Sequence, residues 1–138
     1  MNKILDCVLL VDDDSATNFI NEIVIRETGL VRQVVKASTG VQALEFLKIK
    51  INSKHPQPEI ILLDINMPAM DGWEFMEAYR VLEEEQKAKI IVVMLTTSLN
   101  PDDEERARNI KEINDFRNKP LSTEIFIELV EKFFPELM

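Results

Sequence analysis

VLLVDDDSAT, residues Val8 to Thr17, runs four apolar residues straight into three consecutive aspartates, Asp12, Asp13 and Asp14. The apolar half reads as a strand buried on both faces, the pattern of a parallel sheet. Like charges crowded at the end of such a strand repel one another and resist desolvation, so a cation or a solvated turn has to hold them. The strand therefore predicts both a sheet and a charged edge.

Four further runs resemble the first. Continuous stretches rich in Val, Ile and Leu recur at Cys7 to Val11, Val31 to Ala37, Ile60 to Leu63 and Ile90 to Leu95, with a weaker one at Ile113 to Arg117. Segments of helical spacing lie between them. In Ser15 to Gly29, residues Phe19, Ile20, Ile23 and Val24 form one apolar stripe, the face expected to meet the sheet, and Gly29 is placed to end the helix. Val41, Leu44 and Leu47 mark a second helix, and Phe75, Met76 and Tyr79 a third, on which Trp73 and Tyr79 are expected to pack. The fourth opens with Asn100, Pro101, Asp102 and Asp103, a side-chain cap followed by a proline at the first helical position and acids at the positive end of the dipole. Its apolar face is thin, essentially Ala107 and Ile110, so light packing is expected. A fifth begins near Ser122 and carries Ile125, Phe126, Leu129, Val130 and Phe133. Alternating βα units with short connections predict an α/β fold, an open, doubly wound five-stranded parallel sheet with helices on both faces. Lys50 to Pro58 is the one long connection, at the edge away from the strand ends, and His55 within it is expected to face solvent.

Composition narrows the function. At 138 residues, with 46% hydrophobic and 30% charged residues, the chain predicts one domain, residues 1–138, without an attached output domain. A net charge of −9 repels phosphate backbones and anionic surfaces, which argues against nucleic acid or a membrane as partner. No apolar run approaches a membrane span, and the expected location is cytoplasmic. The single cysteine, Cys7, excludes an intramolecular disulfide and is expected as a small buried hydrophobe.

In doubly wound sheets ligands bind at the carboxyl ends of the strands. There the first strand delivers Asp12 and Asp13, the third Asp64, the fourth Thr96 and the fifth Lys119. Three carboxylates against one ammonium group leave room for a divalent cation. Hard oxygen ligands, in a chain without zinc-type thiolates and histidines, favour Mg²⁺. A site with Mg²⁺, one lysine and one hydroxyl suits phosphoryl oxygens, with a carboxylate available as nucleophile.

An acidic pair after strand one, Asp64 followed by INMPAMDG after strand three, Thr96 after strand four and Lys119-Pro120 after strand five occur in that order. With these four elements the chain resembles the receiver domain of two-component response regulators, over essentially its whole length. The resemblance implies a flavodoxin-like strand order, 2-1-3-4-5, as in the chemotaxis regulator of that family. It implies Asp64 as phosphoacceptor from a phosphohistidine. It implies Mg²⁺ held by Asp13, Asp64 and the backbone carbonyl of Asn66, with Asp12 acting mainly through a water. Lys119 would pair with a phosphoryl oxygen, Thr96 would move its hydroxyl onto the phosphoryl group, and Phe116 would rotate inward, changing the surface of helix four, strand five and helix five. A cis Lys119-Pro120 peptide is expected on the same ground. The implied partners are a sensor histidine kinase or a histidine phosphotransfer protein, with a protein target downstream.

Some residues depart from the pattern. NIKEINDFRNKP, Asn109 to Pro120, has no Gly-Ala pair before strand five, and Thr97 stands where a smaller residue is usual. Asn66 and Ser98 are uncharged, so no charge-driven acceleration of dephosphorylation is expected. Asp14 is expected to be a solvated position near the start of helix one, and Gly72 to allow the turn into helix three. A Mg²⁺-dependent aspartyl-phosphate phosphohydrolase is the alternative, but it needs a second Asp where Asn66 stands. A flavin or nucleotide protein would need a glycine-rich first turn, and the chain has three glycines in all.

Overall fold

Parallel pairing organises the molecule. The computed structural model describes residues 4–95 and 101–137. Strands β1 (Leu5–Val11), β2 (Val31–Ala37), β3 (Ile60–Asp64), β4 (Ile90–Leu95) and β5 (Asp115–Asn118) alternate with helices α1 (Ser15–Thr28), α2 (Gly40–Lys48), α3 (Gly72–Arg80), α4 (Pro101–Arg108) and α5 (Thr123–Phe133). The sheet order is β2-β1-β3-β4-β5, as expected, and each neighbouring pair is parallel. In register, Val11 lies beside Ala37 on one side and Leu63 on the other. Asp12 and Asp64 therefore emerge together at the same edge. No described helix is long and apolar enough to cross a membrane.

The central strands are buried on both faces, so alternate residues feed two cores. Leu9, Val11, Ile61 and Leu63 pack with Ala43 and Leu47 of α2 and Phe75, Met76 and Tyr79 of α3. Val8, Leu10, Ile60 and Leu62 pack with Ile25 of α1 and Phe126, Leu129 and Val130 of α5. Trp73 and Tyr79 are buried as expected, and the Tyr79 hydroxyl accepts from the Ala88 N–H at 3.0 Å. Cys7 is buried too, and burial followed by the nearby Glu59 pushes its thiol up to about 11.

Helix α1 corrects the expected stripe. Phe19, Ile20 and Ile23 face solvent, Phe19 at 59% and Ile20 at 57% exposure, while Val24 of the expected stripe packs half-buried on the core and Asn18 and Ile25 are buried. The inward face runs through Asn18, Asn21, Glu22, Ile25 and Thr28, all buried or half-buried. Polar residues stand there because they have partners: Glu22 accepts from Lys36 of β2 at 2.7 Å and from Arg26 at 2.8 Å. Val41 is likewise exposed, leaving α2 to pack through Ala43, Leu44 and Leu47.

The fifth strand starts at Asp115 rather than Ile113. Asn114 accounts for the shift. Its N–H donates to the Ile91 carbonyl at 2.9 Å and its side-chain oxygen accepts from the Ile91 N–H at 2.9 Å, so one residue engages both backbone groups of Ile91 before the ladder begins. The long connection folds over a bridge between Ile51 and Lys54, with Asn52 and Ser53 at φ 53° and 68°. His55 is only half-exposed, its Nδ1 lying 2.8 Å from the Ile49 carbonyl oxygen. Pro101 begins α4 as expected, whereas the expected cap, Asn100, lies outside the described residues.

Candidate functional site

Asp12 leaves β1 with its N–H still donating to the Ala37 carbonyl of β2 at 3.1 Å, which continues the sheet one residue beyond the strand. Its side chain is then pinned from two directions. Oδ1 accepts from the Asp14 N–H at 2.9 Å, and Oδ2 accepts from Lys119 Nζ at 2.9 Å. Asp14 turns outward and caps α1, accepting from Ala16 N at 3.0 Å and from the Thr17 hydroxyl at 3.0 Å. Those bonds, the Thr17 hydroxyl first, hold its carboxyl below the usual range. The triplet thus divides by function: Asp12 inward, Asp13 exposed at the rim, Asp14 a helix cap.

Asp64 is the last residue of β3 and is only 4% exposed. Its Oδ1 lies 3.2 Å from Lys119 Nζ. Burial, then the neighbouring charge of Asp12, raises its carboxyl above the ordinary 3.8, and Lys119 only partly counters this. At Lys119 burial opposes the charge, but the hydrogen bond to Asp12 and the charge of Asp64 outweigh it and hold the ammonium group above 10.5. The Lys119-Pro120 peptide is cis, as expected.

The chain between Asp64 and α3 is tightly folded. Gly72 N–H donates to the Ile65 carbonyl at 2.9 Å, and Asp71 and Glu74 cap each other's backbone at 2.8 and 3.2 Å. Gly72 has a different reason from the one expected. A Cβ there would lie 2.7 Å from Ile65 Cα and 2.9 Å from the Asp64 carbonyl oxygen, so close packing on the strand end, rather than a turn, requires glycine.

One carboxylate oxygen from each of Asp12, Asp13 and Asp64 lies within 4.8 Å of the others. This donor set is all oxygen and two-thirds buried, with neither Cys7 nor His55 in it. It fits a small hard dication such as Mg²⁺ and does not fit zinc. Asn66 N–H approaches Asp64 Oδ1 at 3.4 Å. Phe116 is half-buried on β5, with the Arg108 guanidinium of α4 at 5.2 Å from its ring centre. Thr96, with Thr97 and Ser98, lies outside the described residues. Asn18, which the sequence did not single out, is buried behind Asp12 and donates to its backbone carbonyl at 2.8 Å. A polar residue on the buried phase of a helix was the available signal, hidden by a brighter apolar stripe beside it.

Residues 8–131 match the response regulator receiver domain family. The chain is 30% identical over 125 residues to the probable methanogenesis regulatory protein FilR2 of Methanothrix harundinacea, covering 91% of this chain and 79% of that one. It is 26% identical over 128 residues to sporulation initiation phosphotransferase F of Bacillus subtilis, covering 93% of each. Among solved structures it is similar to a two component response regulator from Cytophaga hutchinsonii, with TM-score 0.83 and 31% identity over 96% of this chain and 99% of that one. The chain belongs to the response regulator receiver domain family. Members of that family are phosphoacceptors of two-component signalling, and this membership does not favour the phosphohydrolase reading.

Proposed function

We propose that Asp64 is the phosphoacceptor of this chain. The observation that carries the reading is a nearly buried carboxylate, Asp64, 3.2 Å from Lys119 Nζ and grouped within 4.8 Å with Asp12 and Asp13. An Asp64 carboxylate oxygen attacks the phosphorus of a phosphohistidine. The P–N bond breaks, the imidazole leaves, and an acyl phosphate remains. Lys119, tethered by Asp12, stands within reach of a phosphoryl oxygen on Asp64. Asp12, Asp13 and Asp64, with the Asn66 backbone carbonyl, would hold Mg²⁺, which supplies positive charge against the phosphoryl oxygens. Thr96 and Phe116 form the switch, and movement of Phe116 away from the Arg108 guanidinium loosens α4 from β5. Loss of the phosphoryl group by hydrolysis, assisted by the same residues, resets the protein in the cytoplasm.

The donor is a histidine kinase or histidine phosphotransfer protein. The exposed Phe19, Ile20 and Ile23 of α1, one to two helix turns beyond the acidic edge, offer apolar area on which such a partner can dock. Acetyl phosphate with Mg²⁺ is expected to add one phosphoryl group, read by mass, and Asp64→Asn to abolish it. Equal labelling of the variant would overturn the assignment.

A further inference from the structure

A buried amide stands behind the acidic pair, and its bonding is lopsided. Asn18 is only 3% exposed, on the inward face of α1. Its Nδ2 donates to the Asp12 carbonyl at 2.8 Å and toward the Ala37 carbonyl at 3.4 Å, while its Oδ1, fully buried, accepts no hydrogen bond from the described residues. Two carbonyl acceptors fix which end of the amide is nitrogen. Burying an amide with its acceptor unpaired is unfavourable, and an apolar residue of similar size would avoid that cost. The side chain is therefore held in place for its donors. Those donors join the ends of β1 and β2 where the Asp12 N–H also bonds Ala37, so three hydrogen bonds link Asn18, Asp12 and Ala37, two of them made by the backbone of Asp12 itself. Asn18 also lines, with Asp12, Asp64 and Lys119, a cavity of about 10 Å³. The amide and the three charged groups share one small space.

We propose that Asn18 is a positioning residue for metal and phosphoryl binding: by clamping the Asp12 carbonyl it sets the direction in which Asp12 and Asp13 present their carboxylates. It touches neither phosphoryl group nor metal. The proposal rests on the phosphoacceptor reading of Asp64, and Asn18 plays the part of an outer partner that orients the ligands.

The test uses the full chain. Mg²⁺ is titrated calorimetrically into the metal-free protein, and amide hydrogen exchange at Asp12 and the thermal midpoint are measured without metal. Asn18→Leu and Asn18→Ala are expected to raise the Mg²⁺ dissociation constant on the order of tenfold and to speed exchange at Asp12. Ile25→Val, buried on the same inward face but two turns further along the helix in the core with α5, is expected to lower the midpoint and leave the Mg²⁺ constant alone. If Asn18→Leu does not fold, Asn18→Ala decides, since alanine suits a helix and admits water to the two carbonyls. A Mg²⁺ constant within about twofold of wild type in the folded Asn18 variant, whatever its midpoint, overturns the proposal. Failure of the phosphoacceptor reading looks different: the wild-type chain then takes no phosphoryl group from acetyl phosphate.

Discussion

Asp64 carries opposing demands at the scale of one residue. Its burial beside Asp12 raises its carboxyl above 3.8, so the folded chain binds its proton more tightly than the unfolded chain does. In the metal-free protein, stability therefore falls as pH rises from the unfolded value through the folded one, and the cost of the charge is fully present above both. Asp64→Asn removes that charge while Asp12 keeps its bond to Lys119. The variant is expected to abolish phosphoryl uptake and to stabilise the metal-free fold at neutral pH, because it removes a charge disfavoured by burial and by Asp12. Thermal melts from pH 3 to 7 check this, because the difference from wild type should shrink toward zero as the pH falls below about 4. A gap that widens in acid would contradict the sign. The grouping of Asp12, Asp13, Asp64 and Lys119 was legible in the sequence because a charge at the end of an apolar run has few explanations. Asn18 was not, since one neutral amide in a helix carries no such signature.

Elements show where pattern reading succeeded and where it misled. The strands were readable because parallel strands, buried on both faces, are continuous apolar runs, and β2 and β4 lie where those runs fall. Helix α1 misled because its most apolar stripe, Phe19, Ile20 and Ile23, is the exposed one, while its inner face pairs Glu22 with Lys36 and bonds Asn18 to the end of β1. Hydropathy assumes that partners for a helix lie within its own chain. Ile20→Glu is thus expected to cost the fold less than about 0.5 kcal/mol and to leave labelling by acetyl phosphate unchanged, while slowing transfer from a histidine donor at least tenfold. Equal transfer rates would remove α1 from the docking face. On the other side of the site, Gly72→Ala forces a Cβ to 2.7 Å from Ile65 Cα. It is expected to destabilise the chain by about 2 kcal/mol, within the usual range for overpacking, and to slow labelling at Asp64 by displacing the strand end. Denaturant melts and a labelling time course measure the two effects separately.

Across the whole molecule, the sheet brings Asp12, Asp64 and Lys119 together from positions far apart in the chain, so the charge repulsion at one edge is supported by both cores. A chain of net charge −9 with three grouped carboxylates gains stability from whatever neutralises them. Linkage makes the gain measurable. A cation that binds the folded chain alone stabilises it by about 2.7 kcal/mol at one hundred times its dissociation constant, which for a chain of this size raises the thermal midpoint by roughly 8 °C. Mg²⁺ is expected to produce that rise with a logarithmic dependence on concentration, and Asp13→Asn to remove most of it. Asp13 is exposed and bonded to nothing that organises the fold among the described residues, so its substitution tests the site without disturbing the core. NaCl at equal ionic strength distinguishes binding from screening: screening raises the midpoint of wild type and Asp13→Asn alike, whereas a bound dication raises the wild type far more than the variant. Parallel shifts in the two proteins would mean that the acidic edge is a field, not a site.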